Sequence, residues 1–278
     1  MTVSVPPPLT AAVVQLSSQD DVAANLARVA HWVSEAAAAG AKLVALPENF
    51  AFMGEEDQKR KAAEDVTVAS GPIVRALSRA AESHGVFVVA GGMPEKSPDP
   101  DRPYNTSVLV APTGRVVATY RKIHLFDVDL PDGTKLEESR ATGRGEVDMQ
   151  TLASVHDAKL GMTICYDLRF PELYRSLMAL GARIVTVPAA FTVTTGKDHW
   201  HVLLRARAIE NQVFVLAPAQ GGKHPRGRQT YGKSLIVDPW GDVLAQCAEG
   251  EGFALARLDF AAQDRVRASL PSLSHRRL

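Results

Sequence analysis

The chain has 278 residues, of which 46% are hydrophobic and 22% charged, values typical of a compact soluble protein. Its 31 basic and 31 acidic residues give a net charge of zero, which argues against a phosphate-binding surface and a polybasic membrane patch. Two cysteines, Cys165 and Cys247, are too few for a disulfide framework, so they indicate a reducing compartment. Because no apolar run could span a bilayer and the N-terminus lacks the pattern of a signal peptide, we expect a cytoplasmic protein with neither nucleic-acid nor membrane partners.

The first half of the chain alternates short apolar strands with amphipathic helices. Strands are predicted over 9–16, 42–46, 86–90, 104–110 and 115–120, and helices over 21–39, 56–64 and 70–84. The first two strands enclose the first helix, which is typical of a βαβ unit with a right-handed crossover. We expect Gly91 and Gly92 to end the third strand.

The second half begins with a long loop over 125–147, rich in Asp, Glu, Gly and Thr, and a turn over 155–159. Strands are then predicted over 160–165, 184–187, 213–218, 234–237, 243–246 and 252–258, helices over 171–180, 199–211 and 260–267, and a basic loop over 220–231. This order of elements implies two stacked mixed sheets covered by helices. We find no linker and no internal repeat, so residues 1–278 are predicted to form one domain with a tail from about residue 269.

Three reactive side chains fall within two residues of the carboxyl end of a predicted strand: Glu48, Lys122 and Cys165. Ligands of open α/β sheets bind at those ends, so the three groups are candidates for a common site. A glutamate can take the proton of a thiol, and a lysine can stabilise both a thiolate and an oxyanion. Each residue alone also has an ordinary explanation, namely a solvated loop carboxylate, a surface lysine and a buried apolar cysteine.

Cys165 stands where a buried strand turns into a helix that contains Pro171 in its first turn. Helix-terminal N–H groups carry partial positive charge, which favours the thiolate form of a nearby cysteine. We therefore expect an ionised Cys165 sulfur. Cys247 lies among apolar neighbours and is predicted to be buried for structural reasons.

Other motifs are weak or absent. The chain has no Gly-x-Ser-x-Gly elbow, no phosphate loop and no dinucleotide fingerprint. His199 and His201 are two residues apart on a helix and face different ways, so we expect no metal site there. The remaining polar residues have structural interpretations: His124 fixes a loop, Arg205, Arg207 and Glu210 are an ion-paired scaffold, and Arg226 and Arg228 form a solvated loop face.

Three short motifs resemble the three signatures of the nitrilase, or carbon–nitrogen hydrolase, superfamily. They are LPEN at 46–49, YRKIHLFD at 120–127 and ICYDLRFPE at 164–172. The resemblance implies a four-layer αββα sandwich and a Glu-Lys-Cys triad, with Glu48 as base, Lys122 as oxyanion stabiliser and Cys165 as nucleophile. It also implies a second site glutamate, which is Glu138 or, alternatively, the adjacent Glu137.

Within the superfamily, residues 191–200 and 203–211 resemble the Nit group of amidases, and residues 217–220, 231–234 and 238–241 resemble its branch that hydrolyses deaminated glutathione. Lys233 and the loop over 221–229 depart from that pattern. The resemblance implies hydrolysis of a γ-linked amide to 2-oxoglutarate and cysteinylglycine, no cofactor, and a homodimer or higher homo-oligomer. Candidate substrate-binding residues are Tyr166, Arg169, Phe191 and Thr192, although Arg169 could instead pair internally with Asp167 or Glu172.

Other functions remain open at the level of sequence. The chain could be an ω-amidase acting on 2-oxoglutaramate or 2-oxosuccinamate, or an N-carbamoyl amidohydrolase. It could also be a non-catalytic interaction protein on the same fold, or a thiol redox sensor. A complete triad argues against the interaction protein. The apolar setting of Cys247 argues against a resolving cysteine and hence against a redox sensor.

Overall fold

Two six-stranded mixed sheets stack face to face at the centre of the protein. The computed structural model describes residues 5–68, 71–129, 133, 135–147 and 151–277. The predicted helix start at Ser70 lies outside these residues, as do 130–132 and 134 of the predicted loop.

The first sheet has the order β16-β1-β2-β3-β4-β5, in which β1, β2 and β3 are parallel and the other neighbours antiparallel. Its strands are β1 Leu9–Gln15, β2 Leu43–Leu46, β3 Phe87–Glu95, β4 Tyr104–Val110, β5 Val116–Arg121 and β16 Gly252–Leu258. The second sheet repeats the parallel arrangement with β9, β10 and β11, in the order β15-β14-β11-β10-β9-β8. Its strands are β8 Leu152–Val155, β9 Ala158–Met162, β10 Ile184–Thr186, β11 Phe214–Ala217, β14 Leu235–Val237 and β15 Val243–Gln246.

Helices cover the outer faces of both sheets. They are α1 Val22–Ala38, α2 Pro72–His84, α3 Pro171–Ala179, α4 Val193–Asn211 and α5 Phe260–Ser269. Helices α1 and α2 pack on the first sheet, and α3 and α4 cover the second. The result is the four-layer αββα sandwich that the sequence implied.

The alternation of β1 shows how the layers are joined. Ala11 and Val13 point into the core between the two sheets, whereas Ala12 and Val14 point into the core beneath α1 and α2. All four are buried, because successive side chains of a strand face opposite sides and both sides are covered here.

Several predicted boundaries were wrong. Helix α4 begins at Val193 rather than His199, because the Thr192 hydroxyl accepts a hydrogen bond from the Thr195 N–H at 3.3 Å and caps the helix earlier. Strand β8 was not predicted, and the predicted turn over 155–159 is shorter, because Val155 ends β8 and Ala158 begins β9. The two predicted loops contain hairpins, β6 Asp127–Asp129 with β7 Lys135–Glu137 and β12 Gly221–Lys223 with β13 Gln229–Tyr231. Short 3-10 helices cover Glu56–Ala62, Glu138–Arg140, Cys165–Arg169 and Pro225–Gly227.

Gly91 and Gly92 do not end β3, contrary to the prediction. The strand continues through them with a shift in its register to β4. Both glycines permit close approach: a Cβ at Gly91 would overlap Pro188 of the second sheet, and a Cβ at Gly92 would lie 2.8 Å from Glu48 Cγ. The pair therefore marks a close contact between the sheets at the edge that carries Glu48.

None of the helices in the described part of the chain combines the length and hydrophobicity needed to cross a membrane.

We predict that Gly91→Ala destabilises the protein by about 1–3 kcal/mol, because the added methyl group must push the two sheets apart. Gly252→Ala is the matched control, since no atom lies within 4 Å of its added Cβ, and we expect a change within about 0.5 kcal/mol. Urea unfolding of both variants measures this difference. Equal midpoints for the two variants would show that the Gly91 contact does not constrain the fold.

Candidate active site

The structure brings Glu48, Lys122 and Cys165 together at one end of the two sheets. Each follows the carboxyl end of a strand, Glu48 after β2, Lys122 after β5 and Cys165 after β9. Lys122 Nζ lies 2.9 Å from Glu48 Oε1, and Cys165 lines the same cavity as Glu48, close enough for the carboxylate charge to raise the pKa of the thiol. All three side chains are buried.

The Glu48 carboxylate is held from three directions. Its Oε1 accepts hydrogen bonds from Lys122 Nζ and from Asn105 Nδ2, both at 2.9 Å, and its Oε2 accepts one from the Ala190 N–H at 3.0 Å. Gln220 Nε2 donates to the Glu48 carbonyl at 2.9 Å and fixes the backbone of the same residue. The carboxylate therefore has one orientation, beside the sulfur.

The Lys122 ammonium lies between two carboxylates. Besides the bond to Glu48, its Nζ donates to Glu138 Oε1 at 3.1 Å and to Oε2 at 2.8 Å. Burial by itself lowers the pKa of a lysine, but the negative charges of Glu138 and Glu48 outweigh burial and hold the pKa of Lys122 well above its usual value. Lys122 is therefore a permanent cation in the site.

Glu138, rather than Glu137, is the second glutamate of the site. Glu138 Oε2 accepts a hydrogen bond from the Phe126 N–H at 2.8 Å. Burial alone would raise the pKa of Glu138. The charges of Lys122 and Lys59, together with its hydrogen bonds, outweigh burial and lower the pKa to about 2. Glu137 instead makes an ion pair at the surface with Arg140 at 2.8 Å.

Cys165 occupies a strained elbow. Its φ of 48° is unusual for a residue with a side chain, and its N–H donates to the Pro188 carbonyl at 2.8 Å. The segment that follows is a 3-10 turn, and the α-helix begins only at Pro171.

The expectation of an ionised sulfur was wrong. Burial, followed by the negative charge of Glu48, raises the pKa of the Cys165 thiol well above its usual value, and Lys122 only partly opposes them. The thiol is therefore neutral before reaction, and Glu48 is the group positioned to take its proton.

Asp167 fixes the elbow from behind. It is fully buried, and its Oδ2 accepts hydrogen bonds from the Ile164 N–H at 2.8 Å and from Tyr120 Oη at 2.7 Å. Its Oδ1 bonds to His124 Nδ1 at 2.7 Å, which confirms that His124 fixes a loop. The cysteine turn is thereby fastened to the segment that carries Lys122.

Two cavities share Cys165 as a lining residue. The first, the acid lobe, has a volume of about 50 Å³ and is lined by Glu48, Lys59, Lys122, Glu138 and Arg228, among others. The second, the aromatic lobe, has a volume of about 10 Å³ and is lined by Tyr166, Arg169, Phe191, Thr192 and Thr195, among others. Cys165, Phe126 and Ala190 border both lobes. The residue that carries the thiol therefore stands between a charged lobe and an aromatic one.

The four predicted substrate-binding residues all line the aromatic lobe. Arg169 bonds neither Asp167 nor Glu172 within the described residues. Its Nη1 lies 3.2 Å from His199 Nδ1, and its guanidinium lies 5.4 Å from the centre of the Phe191 ring. Arg169 is therefore oriented along the wall of the lobe, a suitable position for binding an anionic group.

Sequence reasoning missed Asn105, whose Nδ2 donates to both Glu48 Oε1 and Glu138 Oε1, at 2.9 and 3.3 Å. Asparagine is unusual inside a strand, and this was the available signal. Arg228 was predicted to be solvated, but it is half-buried and lines the acid lobe. Arg226 does lie at the surface, where it pairs with Glu55.

The predicted scaffold on α4 is confirmed in part. Arg207 forms an ion pair with Glu210 at 3.0 Å, whereas Arg205 donates to the Gly241 carbonyl at 2.7 Å. His201 Nε2 lies 2.6 Å from Gln246 Oε1, so it has a different partner from His199. In the ranges that the structure describes, no three His, Cys, Asp or Glu side chains are grouped so that they could hold a metal ion.

The chain is similar in sequence to known proteins. A sequence model of the carbon-nitrogen hydrolase family matches residues 10–268. The deaminated glutathione amidase of Synechocystis sp. (strain PCC 6803 / GT-S) is 43% identical over 97% of this chain and 98% of its own length.

Two solved structures are also similar. The Caenorhabditis elegans NitFhit protein has a TM-score of 0.91 and 36% identity, and the match covers 99% of this chain and 66% of that longer one. A mutant of the amidase from Nesterenkonia sp. AN1, with the acetamide moiety of fluoroacetamide added covalently at its active site cysteine, has a TM-score of 0.78 and 26% identity over 95% of both chains.

The lowered pKa of Glu138 predicts a specific loss of stability in acid. Because this pKa is about 2 in the folded chain and near 4.5 in the unfolded chain, the ionised carboxylate stabilises the fold above pH 4.5 and loses that effect as the pH falls toward 2. The loss amounts to at most about 3 kcal/mol. Unfolding free energies measured from pH 5 downward should fall less steeply in Glu138→Gln than in the wild type, and Glu137→Gln should retain the wild-type slope. An unchanged slope in Glu138→Gln would contradict the assignment.

Proposed function

The chain belongs to the carbon-nitrogen hydrolase family, and we propose that it is an amidase that hydrolyses deaminated glutathione through a thioester on Cys165. The observation that carries the proposal is the buried ion pair of Glu48 with Lys122 in the cavity that Cys165 also lines. The identity to a relative named for this activity supports the substrate class.

In the proposed first step, the Cys165 sulfur attacks the carbonyl carbon of the amide while Glu48 takes the thiol proton. The carbonyl oxygen becomes an oxyanion, which Lys122 and the backbone N–H of Tyr166 stabilise. Tyr166 lies in the first turn of its 3-10 helix, where N–H groups have no helical acceptor and remain available to a ligand.

In the second step, the protonated Glu48 gives its proton to the nitrogen, the carbon–nitrogen bond breaks, and the amine leaves. The acyl group then remains on sulfur as a thioester. A water molecule, deprotonated by Glu48, attacks the thioester carbonyl, and the proton returns to the departing sulfur as the carboxylic acid is released. The covalent adduct at the active site cysteine of the Nesterenkonia amidase supports the same role for Cys165.

Glu138 and Asn105 act on Lys122 and Glu48 rather than on the substrate in this mechanism. Glu138 holds the ammonium through two hydrogen bonds, and Asn105 donates to both glutamates. Their contacts keep Lys122 charged and Glu48 aimed at the sulfur.

We assign the aromatic lobe to the acyl part of the substrate. A 2-oxoacyl chain carries a carboxylate, and Arg169 is the cation that lines this lobe. Phe191 and Thr192 form the wall beside it, and the Phe191 ring supports the Arg169 guanidinium. This assignment fits 2-oxoglutaramate as well, because it shares the same acyl group, so an ω-amidase is the second candidate.

We also propose that the enzyme is a cytoplasmic homodimer. Both cysteines are free thiols, and the mechanism requires a reduced Cys165. Val202 and Ile209, seven residues apart on one side of α4, are exposed, as are Val243 and Leu244. Such apolar exposure favours association between subunits.

Replacing the nucleophile separates chemistry from folding. We expect Cys165→Ala and Cys165→Ser to abolish turnover while the thermal midpoint stays close to that of the wild type, because the neighbouring hydrogen bonds of Glu48 persist. Released cysteinylglycine and circular dichroism measure the two effects. Normal turnover in either variant would remove Cys165 from the mechanism.

A direct comparison of substrates tests the assignment of the reaction. We expect kcat/KM for deaminated glutathione to exceed that for 2-oxoglutaramate, because the larger leaving group offers further binding energy. Both reactions are followed by the release of 2-oxoglutarate. A tenfold or greater preference for 2-oxoglutaramate would assign the protein to the ω-amidases, and N-carbamoyl compounds tested in the same screen would reveal the carbamoyl hydrolase alternative.

A further inference from the structure

Arg228 provides a second guanidinium at the site, in a different lobe from Arg169. It lines the acid lobe, whereas Arg169 lines the aromatic lobe, and Cys165 borders both. A substrate that enters both lobes therefore meets an arginine in each.

The hairpin that carries Arg228 is firmly anchored. His224, where the first strand of the hairpin enters the turn, hydrogen-bonds through Nδ1 to the Ser18 carbonyl at 2.8 Å and through Nε2 to Thr230 Oγ1 at 2.6 Å. The Tyr231 N–H donates to the Phe191 carbonyl at 3.0 Å. These bonds tie the hairpin to the wall of the site and fix the position of Arg228 relative to Cys165.

The buried charges of Lys122, Glu48 and Glu138 in the acid lobe are paired with one another. The Lys122 ammonium bonds both Glu48 and Glu138, and these three side chains are buried or nearly so. Arg228 lines the same lobe and is half-buried, and its five N–H donors can bind a ligand as well as a partner within the protein. It is therefore placed to meet an anionic group that enters from solvent.

The position of Glu48 decides which part of the substrate lies in the acid lobe. Glu48 lines this lobe and not the aromatic one, and in the proposed mechanism it protonates the departing nitrogen. The nitrogen and everything attached to it must therefore extend along the acid lobe, and the acyl chain along the other. In a γ-amide of a dipeptide, the end of that leaving group is a carboxylate.

We propose that Arg228 binds the terminal carboxylate of the leaving peptide and so selects amides of carboxylate-bearing amines over primary amides. This inference rests on the proposed function. Arg228 is a specificity residue in this scheme, because it contacts the part of the substrate that departs before the thioester is hydrolysed.

Two substrates with the same acyl group isolate the effect. Deaminated glutathione and 2-oxoglutaramate yield the same thioester, but the first releases cysteinylglycine and the second releases ammonia. We expect Arg228→Gln to lower kcat/KM for deaminated glutathione by about 10- to 100-fold, as for the loss of a charge-assisted hydrogen bond, and to change that for 2-oxoglutaramate by no more than about twofold.

Arg226→Gln is the matched control, since it removes the same charge two residues away on the same hairpin, where Arg226 pairs with Glu55 at the surface. We expect it to leave both reactions unchanged. A third substrate, deaminated glutathione with its terminal carboxylate converted to the carboxamide, should lose the same factor with the wild type and almost none further with Arg228→Gln.

The outcomes separate this inference from the proposed function. An equal fall for both substrates in Arg228→Gln, with the wild type active on deaminated glutathione, overturns the role of Arg228 and leaves the proposed function standing. A wild type that hydrolyses 2-oxoglutaramate and not deaminated glutathione overturns both. Unchanged 2-oxoglutaramate hydrolysis in the variant confirms that it is folded.

Discussion

The site depends on one buried ammonium that serves two carboxylates. Lys122 holds Glu48 and Glu138 through hydrogen bonds of 2.8 to 3.1 Å in a place that water hardly reaches. Removing Lys122 would leave two buried carboxylates without their cation in a medium of low dielectric, so both glutamates depend on it. Two negative groups around one cation also disfavour a third negative charge. That balance explains why the pKa of the Cys165 thiol is raised, and in the proposed mechanism Glu48 takes the thiol proton as the sulfur attacks.

This cluster is assembled from both sheets, and the contact between the sheets determines its geometry. Glu48 and Lys122 come from the first sheet, and Cys165 comes from the second. Gly91 lets the second sheet approach at Pro188, whose carbonyl accepts the Cys165 N–H at 2.8 Å. The packing of the two sheets therefore also aligns Glu48, Lys122 and Cys165. Binding energy from the substrate is not needed to bring these groups together.

The sequence predicted most of the sheet strands because buried parallel strands leave a short, β-branched apolar pattern that needs no partner to be recognised. It failed where long-range contacts decide. Gly91 and Gly92 were interpreted as the end of β3, although the strand continues through them. Their lack of side chains instead lets Pro188 pack against Gly91 and Glu48 against Gly92. The start of α4 was placed at His199, although the Thr192 cap sets it earlier. Arg228 was interpreted as solvated, because nothing local reveals that its hairpin folds back against Phe191.

The sequence by itself determined the class of the fold and the strand ends that carry Glu48, Lys122 and Cys165. It also determined the family resemblance from which their chemistry is inferred. These features depend on local residue patterns. Only the tertiary structure decided that Glu138 rather than Glu137 meets Lys122, that Asn105 joins the two glutamates, and that the sulfur is a neutral thiol. Those properties depend on burial and on charges brought together from distant segments. Desolvation and Coulomb energies act through space, so they are not determined until the two sheets are packed together.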